Sequence, residues 1–280
     1  MVKKILIILI IALSVICFTL LARHGFKHTR GIAVVEEEPE RPILSVQSLD
    51  KEIDLSQGID LSFWQNIPAE RIELLYQLMV LPWPKKSVPY VEVKAFHNRK
   101  DIYFYLEWPD ETQDSTVGIS KFSDAGAVMF PLGEETQAST LMMGFLGRAN
   151  IWHWKAIQDS EYWLKEHLQP RVYVDFYYPF EEEELFVVSK EEFASAVNDL
   201  LAIRVGTITH KPIQNVQGRG IYEQGKWKVV FKRSLPVVDN EVDAQFPKGE
   251  KLCAFAAWDG SKGDRGGRKS ISNWVTLVIK

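Results

Sequence analysis

The sequence predicts a mainly β chain: an antiparallel β-sandwich with one or two short helices, preceded by a single N-terminal transmembrane or signal-anchor helix. Three observations predict it. Short alternations of apolar and polar residues recur along the chain, separated at close spacing by turn-forming residues. Nine Trp, fifteen Phe and nine Tyr supply side chains that favour strands. An uncharged run, Ile5 to Ala22, follows Lys3 and Lys4 and has the length and composition of a membrane segment.

The elements follow in chain order. The eighteen residues of ILIILIIALSVICFTLLA rise about 27 Å as a helix, nearly a bilayer core and longer than an ordinary signal h-region. Leu20 suits a cleavage site after Ala22 poorly, so an uncleaved anchor is favoured over a cleaved signal peptide, with the bulk of the chain outside the cytoplasm. Residues 23–42 are charged and aperiodic and read as a linker, leaving 43–280 as one folded domain. RIELLYQLMV (71–80) alternates as a strand before Pro82 and Pro84. Val91, Val93 and Ala95 alternate into the turn HNRKD, and Ile102, Phe104 and Leu106 alternate back, a hairpin. Ser189 and Glu192 form a capping box ahead of EEFASAVNDLLAI, whose Phe193, Val197, Leu200 and Leu201 share a face, which predicts a helix. GRGIYEQGKWKVVFKRSL is a second hairpin, and KLCAFAAW with ISNWVTLVI makes the last strand pair.

Composition excludes several functions. A net charge of −4 and the lack of a basic tract with interleaved aromatics give no footprint for nucleic acid. Two cysteines, Cys17 and Cys253, form no C-x-x-C-H and no cluster, which excludes covalent c-type haem and cysteine-held iron–sulfur or zinc centres. The loop DGSKGDRGGRKS (259–270) imitates a phosphate loop, but Arg268 stands where the second glycine belongs. A β-branched apolar run follows in place of a helix.

Five stretches carry a resemblance: VPYVEVKAFHNRKDIYFYLEWPDETQDS, FSDAGAVMFPL, LMMG with NIWHWKA, VGTITHKPIQNVQGRGIYEQGKWKVVFKRSL, and WDGSKGDRGGRKSISNW. In this order, over roughly residues 45–280, they resemble the haem b-binding γ subunits of type II dimethyl sulfoxide reductase family molybdoenzymes, the group of ethylbenzene dehydrogenase and chlorate reductase. The resemblance implies a β-sandwich holding one non-covalent haem b between a methionine and a lysine. It implies that electrons pass between an iron–sulfur subunit of the molybdopterin complex and an external cytochrome or quinone pool. It points to Lys269 of RGGRKS and Met143 of LMMG as the axial ligands, with Met142 and His153 as alternatives. Trp152 and Trp154 are candidates to flank the haem, and Arg265 and Arg268 to meet its propionates, since Arg pairs with carboxylates in a fork. Gly266 and Gly267 would let the backbone pass close and aim Lys269 inward. With both axial places filled, the subunit relays electrons and does not catalyse. From a different class stands a haem-free carbohydrate-binding β-sandwich whose aromatics form a recognition surface.

Overall fold

The structure, a computed structural model, describes residues 41–78, 81, 88–133, 147–165, 193–203, 206–237 and 239–280. The apolar run from Ile5 to Ala22 lies outside these residues. Among the described residues no helix is long and apolar enough to cross a membrane.

Residues from Arg41 to Lys280 belong to one compact unit. Its strands are β1 (Ile43–Ser48), β2 (Glu70–Glu73), β3 (Leu75–Tyr76), β4 (Tyr90–His97), β5 (Asp101–Pro109), β6 (Ala125–Leu132) and β7 (Arg148–Lys155). They continue with β8 (Val197–Ala202), β9 (Ile208–His210), β10 (Val216–Glu223), β11 (Lys226–Ser234), β12 (Gly249–Trp258), β13 (Ser270–Ile271) and β14 (Val275–Ile279). Hydrogen bonding orders them β10-β11-β5-β4-β1-β14-β12-β6-β7-β8-β9, in a sheet that curls into two layers.

Two strands make the corners. Ile43–Val46 of β1 pair with β14, and Gln47 and Ser48 pair with β4. Gly249–Cys253 of β12 pair with β14, and Ala254–Trp258 pair with β6. β1 runs parallel to both neighbours, so the otherwise antiparallel sheet is mixed at this corner. The layers close around a core that takes Phe104, Leu106, Trp108, Val229 and Phe231 from one side and Val128, Phe130, Trp152, Trp154 and Phe255 from the other. At Gly220 on β10, a Cβ would stand 2.2 Å from the Trp154 ring. Glycine is what lets the curled end of the sheet reach β7.

Both predicted hairpins form, Tyr90–Pro109 and Val216–Ser234, and their inner strands β5 and β11 also pair with each other. The strand predicted over 71–80 is two short pieces, β2 and β3. Between them the Leu74 amide donates to Pro89 O at 2.9 Å; residues 79 and 80 lie outside the described residues.

The helix predicted after Ser189 is corrected: Val197–Ala202 is a strand between β7 and β9. Ser189 and Glu192 lie outside the described residues. Within the strand, Val197 joins the core between the layers, while Ala202 packs on the opposite face. Asp199 breaks the apolar pattern yet is fully buried, because Lys211 Nζ reaches it at 2.6 Å. That pairing is invisible to a periodicity argument.

Candidate functional site

The face of β12, β6, β7 and β8 that points away from the inter-sheet core carries alanines on β12 and β6 and larger side chains on β7 and β8. One row across it runs Ala256, Ala127, His153, Asn198, and the next runs Ala254, Met129, Ile151, Leu200. A strand presents alternate residues to opposite faces, so Phe255, Val128, Trp152 and Trp154 go to the core while Ala254, Ala256, Ala127 and His153 go outward. The result is an apolar floor that is low at Ala127 and Ala256, while Ile271 and Trp274 pack with Ala254, Met129 and Ile151.

Trp258 ends one edge of this floor. Its ring lies 4.7 Å from the His153 ring, and its Nε1 donates to Gly266 O at 3.0 Å. The Lys269 amine sits over the same indole, 4.9 Å from the ring centroid. Backbone bonds hold Lys269 in place: its carbonyl accepts from the Gln77 amide at 2.9 Å, and β13, which starts at the next residue, pairs with β12 on one side and β3 on the other. The turn at Gly266 and Gly267 is closed by two reciprocal bonds between Arg265 and Arg268, of 3.1 and 2.9 Å.

Electrostatics mark two groups on this face. Lys269 as a whole is half-buried, but its amine end is enclosed enough that burial pushes its pKa down to about 8. Among the described residues it has no hydrogen-bond or ion-pair partner beyond the Trp258 ring. His153 has a buried Nε2 with no hydrogen-bond partner. Burial, and after it the charges of Lys155 and Lys269, hold its pKa well below the usual imidazole range. A buried polar atom left unpaired costs about 1–3 kcal/mol. A neutral imidazole and an amine whose proton burial has loosened, both without hydrogen-bond partners among the described residues and beside an apolar floor, fit a planar macrocycle with a metal at its centre.

The predicted site residues divide by this geometry. Lys269 and His153 meet at Trp258. Arg265 lies over the Phe122 ring at 4.4 Å, and Arg268 Nε donates to the Tyr76 hydroxyl at 3.4 Å, both on the loop that leads to Lys269. Trp152 and Trp154 point into the inter-sheet core, against Phe130 at 4.8 Å and Trp227 at 5.0 Å, on the face of β7 opposite His153. The parity of NIWHW contained this, since His153 and its two tryptophan neighbours alternate across a strand. Met142 and Met143 lie outside the described residues. Sequence reasoning missed Trp258 and the alanine floor. Their signal was alanine at every second position in AFAAW and AGAV, a pattern that is hard to tell from plain core filling.

Comparisons with known proteins show the family of the chain. A family model described as ethylbenzene dehydrogenase matches residues 61–270. A relative from Haloferax mediterranei, named as a respiratory nitrate reductase heme subunit, is 26% identical over 249 residues, covering 87% of this chain and 75% of that protein. The chlorate reductase subunit gamma of Ideonella dechloratans is 23% identical over 178 residues, covering 63% of this chain and 59% of that protein. Among solved structures, a carbohydrate binding module of family 9 from Caldicellulosiruptor kristjanssonii, in complex with cellotriose, covers 85% of this chain and 93% of its own. It does so at 9% identity and a TM-score of 0.44, a likeness that carries no argument about ligands.

Proposed function

The chain belongs to the ethylbenzene dehydrogenase family, and we propose that it acts as a non-catalytic electron-transfer subunit of a reductase complex, holding one non-covalent haem b on the alanine floor beside Lys269. The observation that carries this reading is the enclosed Lys269 amine, without a partner among the described residues, at the edge of a face with alanines on β12 and β6. The names of two relatives, a heme subunit and a gamma subunit of reductases, support it.

When bound, the haem supplies reversible one-electron chemistry. Lys269 can hold iron only as the neutral amine. With a pKa of about 8, losing the proton at pH 7 costs roughly 1–2 kcal/mol, against about 4–5 for a solvated lysine. Met143 is proposed for the second axial place, on the strength of the LMMG motif. A soft, neutral thioether favours the ferrous state and raises the potential. With both places taken, no position is open to substrate. Arg265 and Arg268, on the loop before Lys269, are proposed to pair with the propionates. The unpartnered Nε2 of His153 supports a second reading, in which the imidazole takes the place of Met143.

The proposed partners are the iron–sulfur and molybdopterin subunits of the complex and an external cytochrome or quinone. The proposed location is extracytoplasmic, with the run from Ile5 to Ala22 as anchor. The visible spectrum of the purified full chain tests the haem. A Soret band with sharp reduced α and β bands is expected, and a colourless protein made with ample haem sinks the reading. Lys269→Ala and Met143→Ala should each abolish the six-coordinate low-spin form. If Met143→Ala leaves it intact and His153→Ala removes it, the second axial place belongs to His153.

A further inference from the structure

A second cluster lies where the Lys269 loop begins. Asp110 follows β5, Asp124 precedes β6 and Asp259 follows β12, and each offers a carboxylate oxygen within 4.8 Å of the others. All three are buried, at 4%, 0% and 1% exposure. Three carboxylates converge here, and among the described residues the one cation that pairs with them is Lys262, on Asp259. Burial, then repulsion from Asp124 and Asp259, pushes the Asp110 carboxyl up to about 8, and burial pushes Asp124 up to about 7.

The carboxylates are not loosely placed. Asp124 accepts from the Gly260 amide at 2.8 Å with Oδ1, and from the Asp114 amide at 2.6 Å and Trp227 Nε1 at 2.8 Å with Oδ2. Asp259 Oδ1 accepts from the Ser261 hydroxyl at 2.5 Å and the Lys262 amide at 3.2 Å. Gly260 must lack a side chain, since a Cβ there would meet Phe122 O at 1.9 Å. Asp110 differs. Its Oδ1 accepts from the Thr112 amide at 3.1 Å, but its Oδ2 is buried with no hydrogen-bond partner among the described residues. An unsatisfied carboxylate oxygen in a buried acidic cluster lacks a cation or a proton.

We propose that Asp110, Asp124 and Asp259 form a binding site for a hard divalent cation, Ca2+, which ties the ends of β5 and β12 and the start of β6 to the loop that carries Lys269. Oxygens this close can share one ion at the roughly 2.3–2.6 Å of Ca–O bonds. The three carboxylates less the Lys262 charge leave a deficit of two, which a divalent ion cancels. Mg2+ suits the place less well, because it keeps most of its water and demands a tighter octahedron at about 2.0–2.1 Å. The site does not depend on the haem: the ion is structural, and it braces the start of the loop whose end leads into β13.

Elemental analysis of the full chain purified without chelator should find about one calcium per chain. After treatment with EDTA, Tm should fall by roughly 5 °C or more, and 1 mM Ca2+ should restore it while the same concentration of Mg2+ restores less. Asp110→Asn should raise the Tm of the metal-free chain, since it replaces a carboxyl that must hold a proton in the folded state with a neutral amide, and should abolish the rise with Ca2+. A full chain that carries no metal and whose Tm ignores Ca2+ overturns the proposal and assigns protons to the cluster. The haem spectrum, recorded on the same samples, reports the function separately. If Asp110→Asn does not fold, metal content and the Ca2+ response of the native chain decide alone.

Discussion

The inner and outer faces of the β12–β6–β7 layer share one backbone but are finished differently. Inside, Trp152 touches Phe104, Phe130 and Phe246, and Trp154 touches Trp108 and Trp227. Their indole N–H groups are satisfied, by Asn150 Oδ1 at 3.0 Å and Asp159 Oδ1 at 2.7 Å. Even the charges there are matched, with Lys211 held between Asp199 and Asp243. Outside, the same strands show alanines and the His153 imidazole, and the loop before β13 adds a half-buried Lys269; neither nitrogen has a hydrogen-bond or ion-pair partner among the described residues. Unpaired donors alone do not separate the faces, because Trp108 Nε1 and Arg233 Nη1 in the core also lack partners among the described residues; the outer face differs in setting its unpartnered nitrogens beside alanines and not among large rings.

This contrast can be attacked from both sides. The largest effect belongs inside. Trp154→Ala should cost about 3–5 kcal/mol of unfolding free energy, measured by urea or guanidinium titration, because the cavity is enclosed by rings that cannot collapse into it. A cost below about 1 kcal/mol would mean the inner face is not the structural one. On the outer face, Ala256→Leu should change stability little but weaken haem retention by roughly tenfold, measured by transfer to apomyoglobin, since added volume lifts a planar group off its floor. Unchanged retention would remove the alanines from the site. The smallest effect sharpens the inner face alone. Burial pushes Asp159 up to about 7, so the folded chain keeps a proton there that the unfolded chain loses above about pH 4. Stability from this group therefore declines as pH rises from about 4 to 7. Asp159→Asn should flatten that part of the pH profile, with the other raised carboxyls still contributing equally to both proteins.

How much was legible in the sequence varied with how local the cause was. The hairpins around HNRKD and Glu223–Lys226 could be read because alternation and turn residues lie side by side. β8 could not. Its buried Asp199 looks like a solvent position, and only Lys211, with Gln214 donating to the Asp199 carbonyl at 3.0 Å, makes it an inner one. Lys269 was legible through the resemblance of RGGRKS, whereas in isolation a lysine on a glycine-rich turn looks solvated. The acidic cluster was not legible at all, because Asp110, Asp124 and Asp259 stand far apart in the chain and meet only where three strand ends converge.

By itself, then, the order of residues determined the β character, the two hairpins and the family to which the chain belongs, since these follow from local alternation and from motifs in series. Tertiary structure decided which side of β7 faces the core, that β8 is a strand, and that Lys269, His153 and Trp258 share one edge. The reason is physical: a strand shows alternate residues to two surfaces, and only the packing of the second layer chooses which surface is closed.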